Sequence, residues 1–251
     1  MAFVVTFAGL FGAAIGSFLN VVVHRLPRRE SLVAPRSRCP SCQVELAARD
    51  NVPVVSWLLL RGRCRHCRTA ISGRYPVVEL LTAVTFAAVV AARGVSGDLL
   101  VLLPFAALLI AVAGIDLDHL IVPNRLLAPA AAWGLVVSAS VRPEQLPALA
   151  IAGAAAFVLL LVAALAYPVG MGMGDVKLAG VMGLYLGVAV VPALFAAFLA
   201  GTLAGLVLLA RHGGAARKQG VPFAPFLALG GLLGLLAGTE LVALYARSFL
   251  G

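Results

Sequence analysis

Long apolar runs are the feature that most restricts how this chain can fold. Residues 3–23 contain no charged side chain, and similar stretches fill most of the chain after residue 76. About 20 apolar residues cross a bilayer as a helix, because an isolated segment in lipid must satisfy its backbone hydrogen bonds internally. With 62% hydrophobic and 12% charged residues among 251, the chain is not an ordinary soluble domain, a disordered chain or a disulfide-built scaffold. We therefore predict an all-α, polytopic transmembrane helical bundle.

Polar, glycine and proline interruptions divide the apolar sequence into about eight predicted spans. These lie near residues 3–23, 77–93, 98–115, 125–141, 147–168, 176–191, 193–210 and 223–246. We expect a first transmembrane helix at 1–24, a small polar insertion at 25–75 and a transmembrane core at 76–251. The first run has no basic leader before it, so we interpret it as a retained helix and not as a cleaved signal peptide.

The basic residues are concentrated in the insertion. Residues 25–74 contain eleven arginines and three acidic residues, a net charge of +8, whereas the whole chain carries +9. If the insertion is cytoplasmic, eight alternating spans place sixteen of the nineteen Lys and Arg residues inside, among them Arg217 and Lys218. The positive-inside rule then predicts that both termini lie outside the cytoplasm. Basic segments beside membranes bind anionic lipids, so the arginines do not require a nucleic-acid partner.

All four cysteines lie in the insertion and form two C-x-x-C pairs, Cys39 with Cys42 and Cys64 with Cys67. Two such knuckles are typical of a tetrahedral zinc site, and a cysteine-only set leaves no open position for catalysis. We expect a structural zinc that stabilises a loop region too small to build its own core. A redox role is the alternative, although a reducing cytoplasm argues against structural disulfides.

Acidic residues at the predicted membrane surface form a second constellation. Asp116 and Asp118 end the third predicted span, and Asp175 precedes the sixth. Carboxylates beside hydrocarbon are costly, so they are usually paired or functional. Two carboxylates held together can share a proton, which lets one act as a base on water while the other polarises a carbonyl. Asp116 and Asp118 do not share a helix face, so we expect only one of them to point at Asp175.

A structural interpretation of these residues stays open. Asp175 could be the N-cap of the sixth span, with Gly172 and Gly174 as loop glycines. Lys177 could pair with a carboxylate or extend to lipid phosphates. A transporter that couples protons through Asp116 and Asp175 is a further alternative, as is a non-enzymatic scaffold, although no acid lies near the middle of a predicted span.

In this order and spacing, the motifs resemble those of the type 4 prepilin leader peptidases, a family of bacterial membrane aspartic peptidases. The resemblance covers nearly the whole chain. Besides the cysteine pairs it is carried by five segments, 16–27, 53–57, 74–80, 121–124 and 172–177. It implies that Asp116 and Asp175 are the catalytic aspartates, because Asp116 stands eight residues before Asn124 as the family pattern requires.

The resemblance also implies supporting residues and an activity. Gly172, Gly174, Lys177 and Asp118 become supports of the catalytic segment. The family removes the basic leader of type IV prepilins and pseudopilins after a Gly, on the cytoplasmic side of the inner membrane. Members with a Cys-bearing insertion often methylate the new amino terminus with S-adenosylmethionine, so we expect both activities, with peptidase activity alone as the alternative. No cofactor motif such as Gly-x-Gly-x-x-Gly assigns residues to the methyl donor.

Overall fold

The computed structural model describes residues 1–167, 170–213 and 220–249, and this part of the chain is largely helical. It contains eight long helices and one short one. The helices are α1 (Ala2–Arg25), α2 (Val55–Leu59), α3 (Arg74–Arg93), α4 (Leu99–His119), α5 (Asn124–Val141), α6 (Leu146–Ala166), α7 (Met173–Leu186), α8 (Val190–His212) and α9 (Ala224–Phe249). The extended backbone that it includes forms isolated antiparallel bridges, Arg38 with Glu45 and Arg63 with Ala70.

Six helical segments in the described ranges are long and apolar enough to cross a membrane. They are Ala2–Arg25, Arg74–Arg93, Leu99–His119, Pro143–Ala166, Met173–Arg211 and Ala224–Ser248. The predicted all-helical multi-pass class is confirmed, but the count of about eight spans is not. The eight long helices occupy the predicted positions; however, α5 is not among the six, because Asn124 and Arg125 at its start lower its mean hydropathy.

The sixth and seventh predicted spans fall within one helical run. The 14 residues of α7 are too few to cross a bilayer alone, and a 3-10 turn at Gly187–Ala189 joins this helix to α8. The predicted cytoplasmic residues Arg217 and Lys218 lie outside the described part of the chain, as does the last residue of the span predicted at 147–168.

By contacts the chain divides into two units, Met1–Gly94 and Val95–Gly251. The predicted division at residues 24 and 75 concerns topology and stays a prediction. In the first unit, α1 packs along α3. The two backbones approach closely at Gly16, where an added Cβ would lie 2.7 Å from Glu79 Cα. Small residues permit this kind of packing between membrane helices, where lipid supplies no hydrophobic drive for association.

In the second unit, α4 is the central helix. In its most apolar window 67% of the residues are buried, and it packs against α5, α7 and α9. Tyr185 of α7 helps to hold three of these helices together. Its ring stacks on Phe105 of α4 with centroids 4.5 Å apart, and its hydroxyl donates a 2.7 Å hydrogen bond to the carbonyl of Ala130 in α5. These contacts place the end of α7 beside the first half of α4, while Gly174 at the start of α7 lies against Val122, just after α4.

Candidate active site and metal centre

The carboxylate of Asp116 lies at the end of α4 and faces the interior of the second unit. The side chain is 5% exposed, and its Oδ2 accepts a 3.0 Å hydrogen bond from the backbone amide of Ala224. Ala224 is the first residue of α9, and the first amides of a helix have no partner within it. Asp116 therefore supplies the acceptor for this first amide of α9. The helix dipole also favours a negative charge at this position.

Asp175 lies in the first turn of α7. Gly172, and not Asp175, is the N-cap of this helix, so the interpretation of Asp175 as an N-cap is wrong. The predicted span begins at 176, but α7 already begins at Met173, which puts Gly174 and Asp175 inside the helix. The side chain of Asp175 is 9% exposed, and no group in the described part of the chain hydrogen-bonds its buried Oδ1. Buried polar atoms without partners are rare and often mark a site of function.

The fold brings Asp116 and Asp175 together. Their carboxylates are near enough to interact electrostatically, and both are buried where α4 and α7 meet α9. By contrast, the side chain of Asp118 is exposed on the other face of α4. Of the two acids of α4, Asp116 is therefore the one that lies beside Asp175. This placement agrees with the expectation that only one of them points at Asp175.

The two glycines before Asp175 have different surroundings. A Cβ at Gly174 would lie 2.7 Å from Cβ of Val122, closer than real Cβ atoms approach, so the start of α7 is pressed against the segment after α4. A Cβ at Gly172 would meet the Oδ2 of Asp175 at 3.5 Å and the backbone nitrogen of Gly174 at 3.9 Å, both ordinary contacts. The structure therefore requires the absence of a side chain at Gly174 and not at Gly172.

Lys177 has a partner that the sequence did not suggest. Its Nζ donates a 3.1 Å hydrogen bond to Oδ1 of Asn124, the first residue of α5. This hydrogen bond joins the first turns of α5 and α7. The ammonium group of Lys177 is therefore directed to Asn124 and not to either aspartate. Sequence analysis also missed the amide of Ala224, which Val221-Pro222-Phe223-Ala224-Pro225 presents at the start of α9. The available signal was the pair of prolines, Pro222 and Pro225, which leaves only two amides between them.

The four cysteines meet in one cluster in the first unit. The sulfurs of Cys39, Cys42, Cys64 and Cys67 lie within 4.8 Å of one another, and all four residues are free thiols. The Cys39–Cys67 and Cys42–Cys64 sulfur separations are 3.6 and 4.0 Å. Ligand sulfurs of a tetrahedral ion with bonds of 2.3 Å stand about 3.8 Å apart, so this cluster fits a metal ion of that size.

The two halves of the cluster have the same backbone structure. The amides of Cys39 and Cys64 donate to the carbonyls five residues later, of Val44 and Thr69. The residue after each second cysteine, Gln43 or Arg68, has a positive φ near 60°. Each C-x-x-C segment therefore turns back on itself and presents two sulfurs to the same point.

The thiol chemistry of the cluster favours a bound cation. Hydrogen bonds with Thr69, first from its hydroxyl and then from its backbone, lower the pKa of Cys67 to about 6. Although the amide of Val44 acts in the opposite direction, desolvation and the neighbouring sulfurs raise the pKa of Cys42 to about 11. Four adjacent thiolates repel one another, so a metal ion is needed to deprotonate all four at neutral pH.

Two acidic residues of the insertion, Asp50 and Glu45, have arginine partners. Arg65, between Cys64 and Cys67, donates through Nε and Nη2 to Oδ1 of Asp50 at 2.9 and 2.6 Å. This hydrogen bonding is the main reason that the pKa of Asp50 is lowered. Glu45 forms a longer and more exposed pair of 3.5 Å with Arg36.

Glu79 attaches the insertion to α3. Its side chain is buried, and Oε2 accepts a 2.7 Å hydrogen bond from the amide of Val54. Val54 has φ 60° and ψ −51°, and the next amide donates to the carbonyl of Pro53 at 2.6 Å, which makes a γ-turn that is strained for a β-branched residue. The carboxylate therefore holds the start of α2 in a conformation that the local sequence disfavours.

Comparison with known proteins follows the same division of the chain. Residues 10–93 match the Bacterial Peptidase A24 N-terminal domain, and residues 103–209 match the Type IV leader peptidase family. The chain is 36% identical to the prepilin leader peptidase/N-methyltransferase of Aeromonas hydrophila, with 96% of this chain and 93% of that protein aligned. It is also 36% identical to the protein of that name from Bacillus subtilis (strain 168), over 96% and 98% of the two chains.

The chain belongs to the prepilin leader peptidase/N-methyltransferase family. A further relative of the same name, from Burkholderia pseudomallei (strain 1026b), is 38% identical over 93% of this chain and 85% of its own length. No solved structure matches the chain. The resemblance read from the motifs is confirmed. The four cysteines fall in the first matched segment, and Asp116 and Asp175 both fall in the Type IV leader peptidase segment.

Proposed function

We propose that this protein is an aspartic peptidase that removes the basic leader of type IV prepilins and pseudopilins after a Gly, with Asp116 and Asp175 as the catalytic pair. One observation carries the assignment. Two buried carboxylates from different helices lie within electrostatic range of each other, in the segment that matches the leader peptidase family.

The two carboxylates act as a pair, although their surroundings differ. Two adjacent buried anions repel, so one proton is shared between them. The pair then acts on a water molecule and on the scissile carbonyl, one carboxylate as the base and its protonated partner as the acid. The amide of Ala224 orients Asp116, while Oδ1 of Asp175 has no hydrogen-bond partner among the described residues and is available to water or substrate.

The supporting residues act through the position of α7. Gly174 lets the first turn approach Val122, and Lys177 links that turn to Asn124. Gly172 leaves the entrance to Asp175 without a side chain. Asp118, exposed on α4, is a support at the surface of the site.

We propose the following topology. The protein lies in the bacterial inner membrane with eight spans, and both termini lie outside. The sixth span consists of α7 together with the 3-10 turn that follows it, residues 173–189, and the insertion and the aspartate pair face the cytoplasm. The basic charge of residues 25–74 supports this orientation and a contact with anionic lipids instead of nucleic acid. The metal ion held by the cysteines is zinc, with a structural role, because four thiolates occupy every position of a tetrahedral ion.

The proposal includes N-methylation of the new amino terminus. S-adenosylmethionine is the methyl donor that the family name implies, and it would supply an electrophilic methyl group to the amine. The described residues form no strand–turn–helix unit of the kind that binds nucleotide cofactors in soluble enzymes. The fold therefore assigns no residue to the methyl donor.

Intact mass spectrometry of a co-expressed prepilin tests both activities. We expect the unaltered protein to remove the leader, and Asp116→Asn and Asp175→Asn each to abolish removal. Glu144→Gln is the matched control, because Glu144 is an exposed acid of the second unit outside α4 and α7, and this variant should retain cleavage. The mass of one added methyl group on the mature pilin shows methylation, and its absence shows a peptidase alone. Cleavage that survives both substitutions would show that the carboxylate pair is structural and that the proposed mechanism is wrong.

A further inference from the structure

The short helix α2 turns an apolar stripe away from the protein. Val55, Leu58 and Leu59 stand at i, i+3 and i+4 and share one face of this helix. Leu58 is 60% exposed and Leu59 79% exposed, whereas Ser56 on the other face is buried. A helix that packs on a soluble domain has the opposite arrangement, with its apolar stripe inward.

Arginines surround this stripe. Leu59 and Leu60 line a cleft of about 560 Å³ together with four arginines, Arg61, Arg63, Arg65 and Arg68. Arg65 is paired with Asp50. All four guanidinium groups stay charged at every physiological pH. We call Val55, Leu58, Leu59, Arg61, Arg63 and Arg68 the arginine–leucine face.

The chain holds this face close to a bilayer. The insertion begins where α1 ends at Arg25 and finishes where α3 begins at Arg74, and both helices are candidate membrane spans. The hydrogen bond from Val54 to Glu79 attaches the start of α2 directly to α3. The face is therefore held near the point where α3 enters the membrane.

We propose that the arginine–leucine face docks on the anionic lipids of the leaflet beside it, with the leucines at the headgroup boundary and the arginines on the lipid phosphates. Exposed apolar residues beside basic ones are the composition of segments that lie in the membrane interface. A prepilin leader is a poor occupant, because it is itself basic and the arginines repel it. The identity of the leaflet as cytoplasmic rests on the topology proposed above, but the docking itself does not depend on peptidase activity.

Tryptophan quenching by brominated phospholipids tests the docking in the full-length protein. The background variant Trp133→Phe leaves Trp57 as the remaining tryptophan, and adding Leu59→Trp places a reporter on the face. In bilayers that contain phosphatidylglycerol we expect additional quenching from position 59. The combined variant Arg61→Gln, Arg63→Gln and Arg68→Gln should remove it. Each arginine near an anionic surface contributes about fivefold to the binding constant, so three contribute about a hundredfold.

A matched variant separates this surface from net charge. Arg29→Gln, Arg36→Gln and Arg38→Gln remove the same charge from exposed positions of the insertion outside the face, and should leave the quenching unchanged. Equal loss in both triple variants, or no quenching at position 59 beyond the background, overturns the proposal. One bound zinc per chain and retained cleavage of prepilin show that each variant is folded, so failure of docking and failure of the proposed peptidase are distinguishable.

The unaltered protein provides an independent test. Amide hydrogen exchange of residues 55–68 should be slower in phosphatidylglycerol nanodiscs than in phosphatidylcholine nanodiscs, and high salt should reduce the difference. Equal exchange in the two lipids counts against docking, whatever the variants show.

Discussion

The backbone amide of Ala224 donates a 3.0 Å hydrogen bond to Oδ2 of Asp116, 108 residues earlier in the chain. A carboxylate at the end of α4 thus completes the hydrogen bonding at the start of α9. The interaction fixes one acid of the candidate catalytic pair through a backbone group that no side-chain motif contains.

Removal of this amide should lower peptidase activity. Ala224→Pro deletes the donor at the first position of a helix, where proline is otherwise tolerated. A hydrogen bond to a charged group contributes about 1.5–3 kcal/mol, so we expect leader cleavage to fall by about one to two orders of magnitude. Ala224 is fully buried, and Ala224→Val is the control, because it adds volume but keeps the amide. Equal losses in the two variants would assign the effect to packing.

The two glycines of the catalytic segment should respond differently to alanine. Gly174→Ala forces a Cβ against Val122 and should cost about 1–3 kcal/mol of stability, with loss of cleavage, as overpacking usually does. Gly172→Ala meets only ordinary contacts, and its cost should stay below about 1 kcal/mol, that of a weaker N-cap. Thermal unfolding and cleavage assays measure both effects. Val122→Gly, which removes the Cβ that the new side chain meets, should rescue Gly174→Ala, and absence of rescue would place the clash elsewhere.

Loss of one cysteine ligand should release the metal. We expect elemental analysis to find one zinc per chain in the unaltered protein and none in Cys64→Ser. The variant should also open the insertion to proteolysis between the two membrane helices that flank it. His66→Ala is the control, since His66 lies within the same knuckle but outside the set of four sulfurs. Zinc loss in the His66 variant would show a different ligand set.

The pair of Asp50 with Arg65 should couple more strongly than that of Glu45 with Arg36. The first is bidentate and its carboxylate is almost fully buried, whereas the second is 3.5 Å long with the arginine 86% exposed. Double-mutant cycles with Asn and Gln replacements, scored by proteolysis of the insertion, should show coupling for the first pair and none for the second. Equal coupling would contradict the geometric distinction.

Glycine at Val54 should relieve local strain. A positive φ with negative ψ is costly for valine and open to glycine, so Val54→Gly should leave the insertion at least as stable although it removes a side chain. Glu79→Leu should destabilise it, because the buried amide of Val54 loses its acceptor. Thermal unfolding compares the two, and Glu79→Gln, which keeps an acceptor oxygen, is the control for Glu79.

The predicted spans show where sequence reasoning succeeded and where it failed. Apolar length located every long helix, because a helix in lipid is a local property of its own residues. It could not decide how many cross the membrane. The span predicted at 176–191 covers the end of α7, a 3-10 turn and the first two residues of α8, and no apolar count detects that turn.

From the sequence alone we could predict the membrane class, four candidate sulfur ligands and the candidate pair Asp116 and Asp175. The membrane class depends on composition, the ligand set on two C-x-x-C spacings, and the pair on motifs that resemble those of the family. The tertiary structure alone decided that Asp116 meets the amide of Ala224 and that Lys177 meets Asn124. These contacts join residues 108 and 53 positions apart, and only the packing of α4, α5, α7 and α9 brings such distant groups within hydrogen-bonding distance.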